Sequence, residues 1–327
     1  MKILVVDKFE KAGIEALKGT GAEVAYEPEA GAAIGAALAK TKPDVLIVRS
    51  TKVPAAAMDS APGLKGIIRA GAGVDNIDVG SATSRGIKVC NCPGMNAVAV
   101  AELAMGLLLA CDRRICEQTA EARAGNWNKK EFSRTGAGGA RGLKGSTLGV
   151  VGAGAIGRAV IKRALAFDMK VIAWSRGITP EHTRDLGAEW GGEDTPALLA
   201  MAGRCDAVTI HLPLAPDTKG LIGKSFFDRM KPGSYIVNTS RGGVIDEAAL
   251  REAIKSKGIR AGLDVYEDQP GTPQIAWVSE TARTPGVVCT HHVGASTDQA
   301  QSAVAEETVR IVKVYAETGR FENCVNG

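Results

Sequence analysis

Short apolar runs alternate with amphipathic helical patterns along nearly the whole chain. The runs Lys2–Asp7, Asp44–Val48, Gly66–Arg69 and Ile87–Cys90 are each bounded by polar or turn residues and are predicted to be buried strands. Between the first two, residues Phe9–Lys18 carry apolar side chains at helical spacing. This alternation predicts an α/β fold in which helices cover both faces of a parallel sheet.

A second series of the same kind begins at Thr147. It follows a long apolar helix predicted over Asn96–Ala124 and a glycine-rich break over Ser133–Gly145. A final amphipathic helix is predicted over Ser296–Thr318, where a Ser-Thr-Asp run is typical of a helix N-terminus. The further strands of this series are predicted at Thr147–Val151, Lys170–Trp174, Ala207–Ile210, Ser234–Asn238 and Arg260–Leu263.

Composition supports two globular domains and excludes several classes of protein. The 327 residues are 45% hydrophobic and 23% charged, so the chain is not disordered, and its net charge of +4 without a basic block disfavours nucleic-acid binding. The apolar stretch Leu103–Cys111 is far shorter than the roughly 20 residues of a membrane span, and the first apolar run is too short for a signal peptide. The seven cysteines show neither a C-x-x-C pair nor zinc spacing, so we expect no metal site and reduced thiols in a cytoplasmic protein.

A G-x-G-x-x-G pattern stands where a predicted strand gives way to a predicted helix, Ile156–Phe167. Gly152 allows a tight turn, Gly154 allows the backbone to approach a pyrophosphate, and Gly157 allows the helix to pack closely on the strand. The first helical residues, Ala155 and Ile156, lie at the positive end of the helix dipole. The pattern predicts a dinucleotide site, the alternative being an ordinary strand-to-helix turn.

The next strand ends at Trp174-Ser175-Arg176, where NAD-binding chains usually carry an acidic residue that holds the ribose hydroxyls. Ser175 can donate a hydrogen bond to a 2′-phosphate, and Arg176 can pair with it. The sequence therefore favours NADP(H) over NAD(H), unless Arg176 is only a solvated surface charge.

Three later segments place an arginine, an acid and a histidine at or just beyond predicted strand ends, where open α/β sheets bind ligands: Arg241, Asp264 and His292. This set suits hydride transfer to an α-keto acid. The arginine binds the carboxylate and polarises the carbonyl, and the histidine supplies a proton as the hydride arrives. Taken singly, Arg241 is also compatible with a surface ion pair, and His292 with a structural histidine.

At these residues the chain resembles the D-isomer-specific 2-hydroxyacid dehydrogenases, and within that family the catalytic part of the phosphoglycerate dehydrogenases. The resemblance runs nearly from end to end. The motifs that carry it are Arg69–Asp78, Val100–Leu103, His211–Leu214, Asn238–Gly243 and His292–Thr297.

The resemblance implies a Rossmann cofactor domain, residues 98–290, inserted into a flavodoxin-like substrate domain made of residues 1–97 and 291–327. It also implies a dimer built around the cofactor domains, so we expect a homodimer or homotetramer that acts on a small molecule. Because the chain ends where the catalytic part of that family ends, no regulatory serine-binding domain or feedback inhibition of that kind is expected.

The resemblance further implies a role for individual residues. Arg241 would be the substrate arginine, His292 the acid/base, and Asp264 the residue that holds the nicotinamide carboxamide. The other residues expected at the cofactor are His211, Pro213, Thr218, Thr239 and Gly294. Those expected at the substrate are Arg49, Ser50 and Asn96, together with the backbone N–H groups of Gly71, Ala72, Gly73 and Val74.

One position departs from the family pattern. The family places a glutamate, paired with the histidine, where this chain has Gln269. An amide can orient an imidazole but cannot stabilise imidazolium by charge. Either Glu267 or Asp268 takes over that task, or the histidine works with a lower pKa.

The substrate remains open at this point. Val48–Lys52 resembles the segment whose arginine meets the substrate phosphate in phosphoglycerate dehydrogenases, which favours D-3-phosphoglycerate and 3-phosphohydroxypyruvate. The alternatives are a glyoxylate or hydroxypyruvate reductase and a dinucleotide-sensing protein without catalytic activity. Retention of Arg241 and His292 favours an enzyme, and Gln269 is the feature that favours a loss or change of activity.

Overall fold

The computed structural model describes residues 1–135, 139–271 and 274–327, so part of the predicted break at Ser133–Gly145 lies outside the described residues. Its backbone divides into two compact units. Unit 1 comprises Met1–Asn96 and Ser296–Gly327, and unit 2 comprises Ala97–Ala295. The assignment of a substrate role to the first and a cofactor role to the second stays a prediction at this point.

Unit 1 is built on five parallel strands in the order β2-β1-β3-β4-β5, which is the flavodoxin-like arrangement. The strands are β1 Lys2–Val6, β2 Glu23–Glu27, β3 Val45–Val48, β4 Gly66–Arg69 and β5 Lys88–Cys90. The helices are α1 Lys11–Lys18, α2 Ile34–Thr41, α3 Ala55–Asp59, α4 Val79–Ser84 and α13 Asp298–Thr318.

Strand β1 shows why the sequence reads as a continuous apolar run. Ile3 packs with Leu17 of α1 on one face of the sheet, while Leu4 packs with Leu38 of α2 on the other. Side chains alternate between two faces that are both covered, so every position must be apolar.

Unit 2 carries seven parallel strands in the order β12-β11-β10-β9-β6-β7-β8. Read from β6, this is the Rossmann order with one added strand, and it places the topological switch point between β6 and β9. The strands are β6 Thr147–Val151, β7 Lys170–Trp174, β8 Glu189–Trp190, β9 Ala207–Ile210, β10 Tyr235–Asn238, β11 Arg260–Leu263 and β12 Val287–Cys289. The helices are α5 Ala97–Arg113, α6 Ile115–Arg123, α7 Lys129–Phe132, α8 Ala155–Ala166, α9 Pro180–Asp185, α10 Thr195–Arg204, α11 Lys224–Arg229 and α12 Glu247–Lys257.

The α/β fold with two parallel sheets is confirmed, but one predicted helix is wrong. The helix expected over Asn96–Ala124 is interrupted at Arg114, which adopts a left-handed backbone with φ of 53°. The Arg114 guanidinium pairs with Glu117 and Glu131 and lies 4.7 Å from the centre of the Phe132 ring. These contacts tie the break to α7 and explain how a non-glycine residue is held in this conformation.

Within the described ranges, none of the helices combines the length and apolar character needed to cross a membrane. In the same residues, no group of three or more His, Cys, Asp or Glu side chains is placed to hold a metal ion.

Candidate dinucleotide and catalytic site of unit 2

The turn after β6 has the three glycines in three different environments. At Gly152, φ is +96° and a Cβ atom would lie 2.6 Å from the His211 carbonyl oxygen, while at Gly157 it would lie 2.0 Å from the Gly152 carbonyl oxygen. At Gly154 a Cβ would meet nothing within 4 Å. The first and third glycines are thus required by packing, whereas the second faces open space beside the start of α8.

Two buried polar atoms at this edge of the sheet, after β9 and β10, have no hydrogen-bond partner among the described residues: Nδ1 of His211 and Oγ1 of Thr239. The other ring nitrogen of His211, Nε2, lies 2.9 Å from Thr209 Oγ1. Burial lowers the pKa of His211 to about 3, so its imidazole is neutral at ordinary pH. Unsatisfied buried polar atoms cost stability unless a ligand or water pairs with them. The open Gly154 and these atoms fit a bound nicotinamide dinucleotide.

Loop residues after β9 are ordered by a hydroxyl. Thr218 is buried, and its Oγ1 accepts a hydrogen bond from the Ala215 N–H at 2.8 Å and donates to the Pro213 carbonyl at 2.7 Å. Thr218 and Pro213 therefore shape the loop that follows His211, and the structure brings this loop to the same sheet edge as Gly152.

The end of β7 holds the residues predicted to select the cofactor. The Arg176 guanidinium carbon lies 5.7 Å from the centre of the Trp174 ring, and the guanidinium forms an ion pair with Asp217. Ser175 Oγ accepts a long hydrogen bond, 3.4 Å, from the Gly177 N–H. Sequence reasoning missed Asp217, because it lies 41 residues beyond Arg176 and reaches this strand end from the loop after β9.

The Arg241 turn is clamped by Asn238 at the end of β10. The Asn238 amide donates to the Arg241 carbonyl at 2.9 Å, and its oxygen accepts from the Ser240 N–H at 3.0 Å. At Gly242 a Cβ would lie 2.0 Å from the Tyr266 carbonyl carbon, so the arginine turn packs directly on the loop that carries Gln269. The Arg241 guanidinium also donates to the Ser240 carbonyl at 2.8 Å.

His292 has a left-handed backbone, with φ of 54°. Asp264, which is buried, holds this turn: its backbone carbonyl accepts from the His292 N–H at 2.8 Å. The Asp264 carboxylate accepts from the N–H groups of Val293 and Gly294, both at 2.9 Å, and from the Thr290 hydroxyl at 2.6 Å. Asp264, the acidic residue expected at the nicotinamide, thus forms most of its hydrogen bonds with the backbone turn that positions His292.

Gln269 contacts the imidazole directly. Its Nε2 atom lies 2.7 Å from His292 Nδ1, and its Oε1 accepts a hydrogen bond from the Tyr266 N–H at 3.3 Å. The Tyr266 N–H can only donate, which fixes the oxygen on its side and turns the amide NH₂ towards the histidine. An NH₂ group donates, so Nδ1 must be the unprotonated nitrogen of His292 in this arrangement.

Neighbouring strands bring these groups together. Arg241, Gln269 and His292 follow β10, β11 and β12, which lie side by side in the sheet, and parallel strands end at one edge. The predicted catalytic residues therefore share one edge of unit 2 with the glycine turn.

In unit 1, Asp7 organises the loop that carries Arg49 and Ser50. One oxygen of the Asp7 carboxylate accepts from the N–H groups of Arg49, Ser50 and Thr51 at 2.8, 2.9 and 3.0 Å. The other oxygen accepts from the hydroxyls of Ser50 and Thr51 at 3.1 and 2.8 Å. Burial alone would raise the pKa of Asp7, but these hydrogen bonds lower it below the ordinary value. Its position just after β1 was the signal that sequence reasoning left unused.

The loop 71–74 is held by the two residues that follow β5, Asn91 and Cys92. The Cys92 N–H donates to the Gly71 carbonyl at 2.9 Å, and the Asn91 amide donates to the Ala72 carbonyl at 2.6 Å. Gly71 has φ of +147°, and its own N–H is donated to the Arg69 carbonyl at 2.8 Å, so it differs from the expected free donor.

Comparison with known proteins places this arrangement in a family. The family model of the D-isomer specific 2-hydroxyacid dehydrogenase NAD binding domain matches residues 105–294. A hydroxypyruvate reductase of Thermotoga maritima is 45% identical over 278 residues, which cover 84% of this chain and 85% of that protein. A D-3-phosphoglycerate dehydrogenase of Methanocaldococcus jannaschii is 40% identical over 329 residues, and the match spans all of this chain but only 59% of that relative.

Solved structures agree with the fold. A protein from Thermus thermophilus superimposes with a TM-score of 0.83 at 32% identity, covering 99% of this chain and 100% of that one. An NADPH-dependent glyoxylate/hydroxypyruvate reductase from Sinorhizobium meliloti, solved with NADP and malonate, gives a TM-score of 0.81 at 28% identity, covering 99% and 96%.

Proposed function

We propose that this chain interconverts D-3-phosphoglycerate and 3-phosphohydroxypyruvate with a nicotinamide cofactor. The chain belongs to the D-isomer-specific 2-hydroxyacid dehydrogenase family. The observation that carries an enzymatic role is the shared sheet edge of Arg241 and His292, with the histidine turn fixed by Asp264. A protein that merely sensed the dinucleotide would not need this catalytic pair.

The proposed chemistry assigns each group one task. The bound nicotinamide supplies or accepts the hydride. Arg241 binds the substrate carboxylate through its guanidinium and polarises the neighbouring carbonyl. His292 gives a proton to the carbonyl oxygen from Nε2, the ring nitrogen opposite its contact with Gln269, and takes it back in the oxidative direction.

The loop around Arg49 supports a phosphorylated substrate. Asp7 holds the backbone of residues 49–51, so the Arg49 side chain starts from a fixed turn. Arg49→Ala is expected to raise the KM for 3-phosphohydroxypyruvate about tenfold or more and to leave glyoxylate and hydroxypyruvate nearly unchanged, because only the first substrate has a phosphate to pair with. Lys52→Ala, in the same segment, is the matched control. Equal losses on all three keto acids would contradict the phosphate role of Arg49.

The second candidate is a hydroxypyruvate or glyoxylate reductase, which the 45% identity to the Thermotoga maritima enzyme favours. Initial rates on the same three keto acids separate the two candidates. A kcat/KM that is higher for hydroxypyruvate than for its phosphorylated form would select the reductase. An absence of turnover on every keto acid, with intact cofactor binding, would instead select a non-catalytic binding protein.

Ser175 and Arg176 support a preference for NADP(H) over NAD(H), since both can bind a 2′-phosphate. Fluorescence titration with the two reduced cofactors tests this, and Arg176→Ala should weaken NADPH binding more than NADH binding.

A cytoplasmic location and a homodimer or homotetramer complete the proposal. The seven free cysteines support a reducing compartment.

A further inference from the structure

The ion pair between Arg176 and Asp217 changes the charge at the end of β7. Sequence alone shows no carboxylate after this strand, yet the folded chain brings one there from the loop after β9. The guanidinium also lies over the Trp174 ring, so it is held from two directions. Any ligand group that reaches Arg176 therefore also reaches Asp217.

The two forms of the cofactor differ at this point in chemistry. A 2′-hydroxyl can donate a hydrogen bond to a carboxylate, as the acid at this place does in many NAD-binding folds. A 2′-phosphate is an anion: it is attracted by Arg176, is repelled by Asp217, and must compete with Asp217 for the guanidinium. One side chain thus favours the first cofactor and opposes the second.

We infer that Asp217 is a specificity-determining residue for the cofactor. From the loop after β9 it supplies the carboxylate that is missing after β7, and it thereby restrains the preference for NADP(H). This inference rests on the proposed binding of a nicotinamide dinucleotide at the edge formed by β6, β7 and β9. It makes the choice between the two cofactors a competition for Arg176, rather than the property of Ser175 and Arg176 alone.

An ordinary surface ion pair is the alternative, because 46% of the Arg176 side chain and 60% of the Asp217 side chain are exposed. The two explanations differ in what they predict for ligands. Loss of a surface pair changes the binding of both cofactors equally or not at all. Loss of a specificity residue moves the two dissociation constants in opposite directions.

The test measures the Kd of NADPH and of NADH for the full chain by fluorescence titration, with Asp217→Asn as the variant. The expected result is about tenfold tighter binding of NADPH and a severalfold weaker binding of NADH. Because the pair is exposed, the gain for NADPH should shrink at high salt. Asp228→Asn is the matched control, since Asp228 is 59% exposed and pairs with Lys224 on the same unit.

The outcomes separate this inference from the proposed function. A ratio of the two dissociation constants that stays within twofold in Asp217→Asn, while Arg176→Ala weakens NADPH, would overturn the role of Asp217 and leave the cofactor site standing. Binding of neither cofactor to the unsubstituted chain would overturn the cofactor site itself. A shift of the ratio in Asp228→Asn as large as in Asp217→Asn would reduce the effect to net charge and likewise overturn the inference.

Discussion

Replacing Gln269 by glutamate is the most direct perturbation of the proposed acid/base. In keto-acid reduction His292 must begin protonated on both ring nitrogens, because Nε2 gives up its proton while Nδ1 keeps one. Gln269 faces Nδ1 with its NH₂ group, since its oxygen is bound to the Tyr266 N–H. Protonation of Nδ1 would set two donors against each other unless the amide turned round and left the Tyr266 N–H without a partner. A glutamate has two acceptor oxygens and can serve both neighbours at once.

The size of the effect follows from this geometry. A carboxylate oxygen at the position of the amide nitrogen, 2.7 Å from Nδ1, would attract imidazolium by about 1.5 kcal/mol in a water-like medium and about 6 kcal/mol in a protein-like one. His292 is exposed, so screening places the value near the lower figure, at about 1.5 kcal/mol. Keeping the Tyr266 hydrogen bond adds about 1 kcal/mol. At about 1.4 kcal/mol for each pH unit, the sum corresponds to one to two pH units.

The assay is the pH dependence of kcat/KM for keto-acid reduction at saturating reduced cofactor. The rate should fall as the pH rises and imidazolium is lost, and Gln269→Glu should move the midpoint of that fall upward by about one to two pH units. Asp268→Asn removes a charge from the adjacent residue and should leave the midpoint nearly in place. Coincident profiles for wild type and Gln269→Glu would refute the reasoning, and so would full activity in His292→Ala.

Two further predictions concern the loops and turns that hold the sites. Asp7→Ala releases the loop with Arg49, so the Tm should fall by several degrees. Because hydrogen bonds lower the pKa of Asp7, its stabilising effect is present above the ordinary pKa of 3.8 and is lost as the pH falls through the lowered pKa. Thermal melts of wild type and variant should therefore converge in strong acid. A stability difference that persists unchanged in strong acid would contradict this role. Gly157→Ala should lower both the Tm and the cofactor affinity, because a Cβ would lie 2.0 Å from the Gly152 carbonyl oxygen. Gly154→Ala should weaken cofactor binding at least tenfold and leave the Tm unchanged, because its Cβ would enter open space that the ligand needs. Equal behaviour of the two glycine variants in the melts and titrations would contradict the packing argument.

Burial explains which strands could be predicted from sequence. Thr147–Val151 and Ala207–Ile210 were predicted to the residue, because central parallel strands are covered on both faces and must be apolar throughout. Glu23–Glu27, Glu189–Trp190 and Val287–Cys289 were missed, because they form the sheet edges and carry exposed or half-exposed side chains without a continuous apolar run.

The candidate site divides along a similar line. Arg241 could be proposed from sequence because it follows a predicted strand, and His292 because the residues of its motif, His292–Thr297, are contiguous in the chain, although the strand before it was missed. Asp217 could not, because its contact with Arg176 depends on the order of strands in the sheet and not on spacing along the chain. Contacts of that kind become visible only when the fold has set which loops are neighbours.

The sheet order also separates the residues proposed for catalysis from those proposed to select the cofactor. Asp264, which aims the histidine, is buried and bound by three hydrogen bonds to residues 290–294, beyond β11 and β12. Asp217, in the loop after β9, reaches across the switch point to Arg176 after β7, in an exposed pair that can be exchanged at little cost in stability. A change at Asp217 leaves the backbone around His292 untouched, whereas a change at Asp264 leaves two backbone N–H groups without their acceptor. The residues proposed to select the cofactor can therefore vary in this fold while the turn that carries His292 stays fixed.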